Sequence, residues 1–136
     1  MAQNWLAGPS LRPDRGLDIV RITVALVLSV HSITRITGGD VAGFGEYLGS
    51  IGFPLGVALA WLITLSTLAS SVLLIIRCLI IPACICHIVV LVAGILLDHI
   101  HDGWFVVGGG RNGMEYSVVL VACLFAVSWS YWPGRE

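Results

Sequence analysis

Between Asp98 and Tyr116 the chain reads DHIHDGWFVVGGGRNGMEY, a dense group of ionisable residues between long apolar segments. Asp98, His99, His101 and Asp102 come first, then Trp104 and Phe105, then a glycine run leading to Arg111 and Glu115. His31 and Arg35 form a second group, four residues apart and so on one face of a helix. Histidine changes charge near physiological pH. A carboxylate desolvated beside a histidine or an arginine suits a proton relay or a clamp on a ligand headgroup. The residues read as catalytic are His31, Arg35, His99 and Glu115. Trp104, Phe105, His87 and Asp98 are read as binding residues for a cofactor. A plainer reading stands beside this one. Glu115 and Arg111 can be a helix-start pair, Arg35 can extend to the membrane interface, and His101 and Asp102 can be solvated loop residues.

His87 belongs to a different depth. Cys84, His87, Leu91, Gly94 and Asp98 follow 3-4-3-4 spacing, which predicts one helix face, with His87 about 15 Å below Asp98 at about 1.5 Å per residue. A haem would need a second histidine at that depth, and His31 and His99 are expected near the outer surface instead. Cys84 and Cys86 point nearly opposite ways on a helix, which argues against a disulfide between them. The four cysteines all lie in apolar runs and read as small buried hydrophobes. No nucleotide loop and no four-ligand metal pattern is present, so no NAD, flavin, zinc or iron–sulfur site is expected.

The elements that position these groups are hydrophobic. The 136 residues are 57% hydrophobic and 11% charged, less than half the charged share of a soluble domain, which is about 25%. A net charge of −1 offers no basic field for nucleic acid. A helix needs about 20 apolar residues to span a bilayer, and four stretches qualify, at about 17–36, 53–76, 79–97 and 113–132. The first is too long for a signal-peptide core and lacks a small-residue cleavage site. An all-α transmembrane four-helix bundle in a single membrane domain follows. There is no lysine, and the seven positive charges are arginines. Arg12, Arg15, Arg21, Arg77 and Arg135 fall on one side, and Arg35 and Arg111 on the other. The positive-inside rule then places both termini in the cytoplasm. Pro54 suits the first turn of the second span. Asn112 and Glu115 suit a capping box on the fourth. Gly56, Ala60, Thr64, Thr67 and Ser71 make a small-residue stripe that lets helices approach closely. The connection around Arg77 is short and predicts a hairpin.

These segments resemble the DoxX family of small four-helix membrane proteins. The resemblance is carried by His99, Gly103, Trp104 and Phe105, then Gly109, Gly110, Glu115 and Tyr116. It is carried also by Arg21 with VHSITRI, which holds His31 and Arg35, and by YLGSIGFPLGVALAW leading into the second span. The sequence departs from the family pattern in four places. Thr67 stands where the family often has a glutamate, Arg77 where it has a glycine beyond that position, Ser32 where it has a glycine after the histidine, and Arg35 where it has lysine. The resemblance implies a membrane subunit of a quinone-linked oxidoreductase in a bacterial or archaeal plasma membrane. The expected cofactor is a quinone or a similar lipid-soluble redox molecule, bound near the outer leaflet. The expected partners are the lipid bilayer, and a redox partner subunit or a second copy of the chain. A non-catalytic scaffold subunit and a small permease or lipid-handling protein are the alternatives. The absence of paired broken helices speaks against the permease.

Overall fold

The computed structural model describes residues 15–107 and 112–133. Arg12, Gly109, Gly110, Arg111 and Arg135 lie outside the described residues. Helices α1 (Arg15–Thr37), α3 (Gly56–Ile75), α4 (Ile80–Gly94) and α6 (Glu115–Ser130) are the long apolar elements. A short helix α2 (Val41–Ser50) lies between α1 and α3. After Gly94 the α4 axis continues through a π-helical turn, Ile95–His99, and a last turn, α5 (Ile100–Asp102). No strand occurs among the described residues. Three segments, Arg15–Thr37, Gly56–Ile75 and Ile80–Asp102, are long and apolar enough to cross a membrane. The expected fourth span, 113–132, contains the shorter apolar helix Glu115–Ser130.

Helix α1 packs on α3 and α6, α3 on α4, α4 on α6, and α2 on α3. Ala25, Leu28, Leu74, Cys84, Leu120, Leu124 and Val127 form the main core. Ile19, Leu26, Val30, Leu62 and Val89 stay exposed on the outside of the packed helices, where lipid tails are the matching solvent. The stripe expected along α3 is its buried face: Ala60, Thr64, Thr67, Ser70, Ser71 and Leu74. Small side chains bring the helices close enough for the hydroxyls to find partners across the interface. Thr64 Oγ1 accepts from Arg35 Nη1 at 3.5 Å. Thr67 Oγ1 and Ser32 Oγ lie 2.9 Å apart. Ser71 Oγ and His87 Nε2 lie 3.2 Å apart.

The same face ends on a buried arginine. The last carbonyls of a helix have no partner within the helix. Here Arg21 of α1 supplies one, donating through Nη1 to the carbonyls of Leu74 and, at 3.3 Å, Ile75. Asp18 balances its charge at 3.0 Å. The hairpin between α3 and α4 is closed by Arg77 and Leu79, both with positive φ (60° and 47°). That turn brings Arg77 to Asp18 at 3.7 Å and to the Tyr131 hydroxyl at 3.3 Å. Tyr131 in turn donates to Asp18 at 3.5 Å. Burial pushes the Tyr131 phenol up, which keeps the proton that this bond needs.

Three sequence expectations change. The stretch between the first two spans, GGDVAGFGEYLGSIGFP, reads from its glycines as a long outer connection, but α2 forms there and docks on α3. Pro54 is not in the first turn of α3. The helix starts at Gly56, after Leu55 in the left-handed conformation (φ 57°). The cause is close backbone packing: a Cβ on Gly45 would sit 2.5 Å from Val57 Cα, and one on Gly56 would run into the Gly45 carbonyl. Asn112 does not cap α6 either. Met114 holds that position without a side-chain hydrogen bond, and Glu115 is the first helical residue.

Gly56→Ala is therefore expected to destabilise the protein by about 1–3 kcal/mol through overpacking. Gly49→Ala, where a Cβ meets nothing within 4 Å, is expected to be near neutral. Thermal unfolding in mild detergent compares the two, and equal stability would show that α2 is not wedged against α3.

Candidate functional site at the outer helix ends

The ionisable groups collect where α1 ends and the α4 axis passes through its π turn. A guanidinium can only donate hydrogen bonds. Arg35 Nη2 lies 3.0 Å from His31 Nε2, so this nitrogen of His31 is the acceptor. The Arg35 guanidinium carbon also sits 4.2 Å above the Phe44 ring of α2, a cation–π contact. Arg35 is thus held by α1, α2 and α3 together. An arginine that only extended to the interface would not be held in this way.

His99 is fixed from the loop before α6. Its Nδ1 lies 2.9 Å from the Asn112 carbonyl oxygen and 3.7 Å from Asp98 Oδ2. Asn112 stands in the left-handed conformation (φ 59°). Its amide donates to Asp98 Oδ2 at 3.0 Å and to Asp102 Oδ2 at 3.1 Å. The π turn sets which residue faces inward. A Cβ on Gly94 would lie 3.8 Å from His99 Cδ2 and Nε2, five residues along the chain, the π spacing. The single face expected from Cys84 to Asp98 therefore stops at Gly94, and the next residue over it is His99. Tyr47 of α2 donates to the Leu97 carbonyl within this turn at 3.1 Å.

The other candidates lie apart from this group. Glu115 Oε1 accepts from the Val106 N–H at 2.8 Å, and its own N–H donates to the Trp104 carbonyl at 3.0 Å. No hydrogen bond or ion pair joins it to His31, Arg35 or His99 among the described residues. Glu115, Trp104, Val106 and Tyr116 line a shallow, mostly apolar groove of about 430 Å³. Phe105 is exposed beside it. His87 is buried within the helices against Ser71, below the outer group. His101 is exposed. Among the described residues no group of three or more His, Cys, Asp or Glu is arranged to hold a metal ion. Sequence reasoning missed Phe44, Tyr47 and Asn112 as partners of the site. Phe44 and Tyr47 sit on α2, and only the apolar and small residues of GFGEYLGS hinted at a helix there.

Hydrophobic helices of spanning length, with histidine, arginine and aspartate collected at one rim, define a multi-pass membrane protein. The DoxX family model matches residues 16–100, and the chain belongs to that family. The match includes His31, Arg35, His87, Asp98 and His99 and ends before Trp104, Phe105 and Glu115. Neither a curated protein nor a solved structure matches the chain. Thr67 and Ser32, two positions that depart from the family pattern, are the pair that hydrogen-bond each other across α1 and α3.

Phe44→Leu keeps an apolar side chain and removes the ring. A cation–π contact contributes about 0.5–2 kcal/mol. A double-mutant cycle with Arg35→Met, read by unfolding in detergent, is expected to give a coupling in that range. A coupling near zero would show that Phe44 does not hold Arg35.

Proposed function

We propose that this chain is the membrane subunit of a quinone-linked oxidoreductase. It would bind a quinone or related lipid-soluble redox molecule at the outer end of α1 and α4. The observation that supports the proposal is that His31 with Arg35, at the end of α1, and His99, in the turn after α4, stand at the same end of lipid-facing helices. A quinone headgroup is flat, carries two carbonyl oxygens and arrives from the bilayer. Arg35 and the two imidazoles match its oxygens, and the apolar surfaces around them match its ring and tail. Asp98 orders the His99 side of the site through Asn112. Glu115 holds the turn carrying Trp104 and borders the adjoining groove, where Trp104 and Phe105 anchor the membrane interface. His87 would serve the packing between α3 and α4 rather than the headgroup.

The four apolar helices would form one transmembrane bundle with both termini in the cytoplasm. Arg21 and Arg77 meeting at one end, opposite Arg35, supports this orientation. With no redox motif in the sequence, electrons would pass to a partner subunit in a bacterial or archaeal plasma membrane. A second reading, a scaffold subunit, draws on the internal hydrogen bonds of the same cluster. In that reading Arg35 and His99 tie helix ends together and bind nothing.

Two measurements test these statements. Purified protein is expected to bind a short-chain quinone, and Arg35→Ala and His99→Ala each to weaken binding about tenfold or more. A hydrogen bond to a charged group is worth about 1.5–3 kcal/mol, and about 1.4 kcal/mol is tenfold. No quinone binding by the parent protein, with a lowered unfolding temperature in both variants, selects the scaffold. A reporter fused after Glu136 is expected to be active only in the cytoplasm, and a periplasmic signal overturns the orientation.

A further inference from the structure

A groove beside the rim carries a carboxylate that the quinone site leaves unused. It runs between residues 104–107 and the first turns of α6, with Glu115 at its head and Val118 and Val119 one turn further along the helix. Its wall is fixed through the backbone. Met114 N–H donates to the Gly103 carbonyl at 3.1 Å, and Glu115 N–H to the Trp104 carbonyl at 3.0 Å. Glu115 Oε1 accepts from the Val106 N–H at 2.8 Å. A Cβ on Gly113 would run into the Phe105 carbonyl, so this segment lies directly against the start of α6. The groove is therefore formed before anything enters it, as ligand sites usually are.

We infer that this groove binds a phospholipid with a primary ammonium headgroup, phosphatidylethanolamine, from the adjoining leaflet, with the ammonium on Glu115 and an acyl chain along Val118 and Val119. Charge selects the headgroup. Glu115 is the one charged residue among those lining the groove. Its second carboxylate oxygen takes no hydrogen bond and no ion pair among the described residues. A carboxylate set among lipid-facing apolar side chains is costly without a cation. An ammonium has three donors and no acceptor, so it meets the free oxygen while the Val106 N–H keeps the other. Trp104 and Tyr116 line the same groove, and aromatic rings attract a cation. A quinone brings only acceptor oxygens, which would face the carboxylate acceptor to acceptor. A choline headgroup brings a charge but no N–H.

The apolar part of the groove suits a lipid chain. Val107 and Val119 are 79% and 58% exposed, so the groove stays open along the lipid side of α6, the direction from which an acyl chain arrives. A carboxylate in the first turn of a helix also offsets the helix dipole, and Glu115 bonded to Val106 does this with no ligand at all. That role is indifferent to the headgroup of any neighbouring lipid. Binding of an ammonium is not.

The test uses the purified full chain in mild detergent, with native mass spectrometry reading the lipid retained from equal amounts of phosphatidylethanolamine and phosphatidylcholine of identical acyl chains. The ethanolamine lipid is expected to be retained about fivefold or more over the choline lipid, the scale of a hydrogen bond to a charged group. The mono- and dimethylated ethanolamine lipids are expected to fall between them. Glu115→Gln keeps an acceptor for the Val106 N–H, and is expected to bring the preference below about twofold with the unfolding temperature kept. Val119→Trp fills the groove and is expected to lower retention of both lipids, whereas Val89→Trp, exposed on α4, leaves it unchanged. Equal retention of the two lipids by the parent protein overturns the inference, and so does a preference unchanged in Glu115→Gln. A lipid-free dimer that Val119→Trp breaks assigns the groove to a second copy of the chain and overturns it as well. If Glu115→Gln fails to fold, the methylation series in the parent protein decides, and no fall from ethanolamine to choline rejects the ammonium on Glu115.

Discussion

The arrangement depends on one constraint: a polar group placed between apolar helices must find its partner inside the protein. Leaving such a group unpaired costs about 1–3 kcal/mol even in ordinary protein interiors. The hydroxyls along α3 meet this constraint one by one. Thr64 takes Arg35, Thr67 takes Ser32, and Ser71 takes His87. The Leu74 carbonyl takes Arg21. Each bond crosses to α1 or α4, so satisfying α3 also sets the register of its two neighbours. Nonspecific apolar packing would not set it, since lipid tails are as apolar as leucine.

The two ends of the helices use this register differently. At one end Asp18, Arg21, Arg77 and Tyr131 are joined by ion pairs and hydrogen bonds, although the buried Arg21 Nε has no partner among the described residues. At the other, the more open end, Arg35 and Asn112 reach one nitrogen each of His31 and His99. The first end holds helices together. Ser32 and Thr67, where the family pattern has glycine and glutamate, lie just below that open end as a hydroxyl pair. The pair is a contact between α1 and α3.

Much of the architecture was legible in composition and spacing. Apolar stretches long enough to span a bilayer marked α1, α3 and α4, and the stripe from Ala60 to Ser71 marked the face that packs. His31 with Arg35 was readable because four residues separate them on a helix. Other parts were not legible for definite reasons. Helix α2 depends on backbone contact between Gly45 and Gly56, which no hydrophobic period records. Asn112 looked like a helix cap because Asn-x-x-Glu is the local signature of one, but the competing pull of Asp98 and Asp102 claimed its amide. Glu115 was grouped with His31 by depth alone, and depth does not say which way a side chain turns. It turned to the Val106 N–H.

The π turn at Ile95–His99 gives the α4 axis a change of phase. Below it the helix follows the inward face of Cys84 and His87, and above it everything is rotated by one residue, about 100° at 3.6 residues per turn. Substitution is therefore not the smallest change that can alter the chemistry of the rim. Loss of one residue within the turn would restore a regular helix and exchange which side chain lies over Gly94. Helix length, as much as residue identity, decides whether an imidazole or its neighbour lies over Gly94.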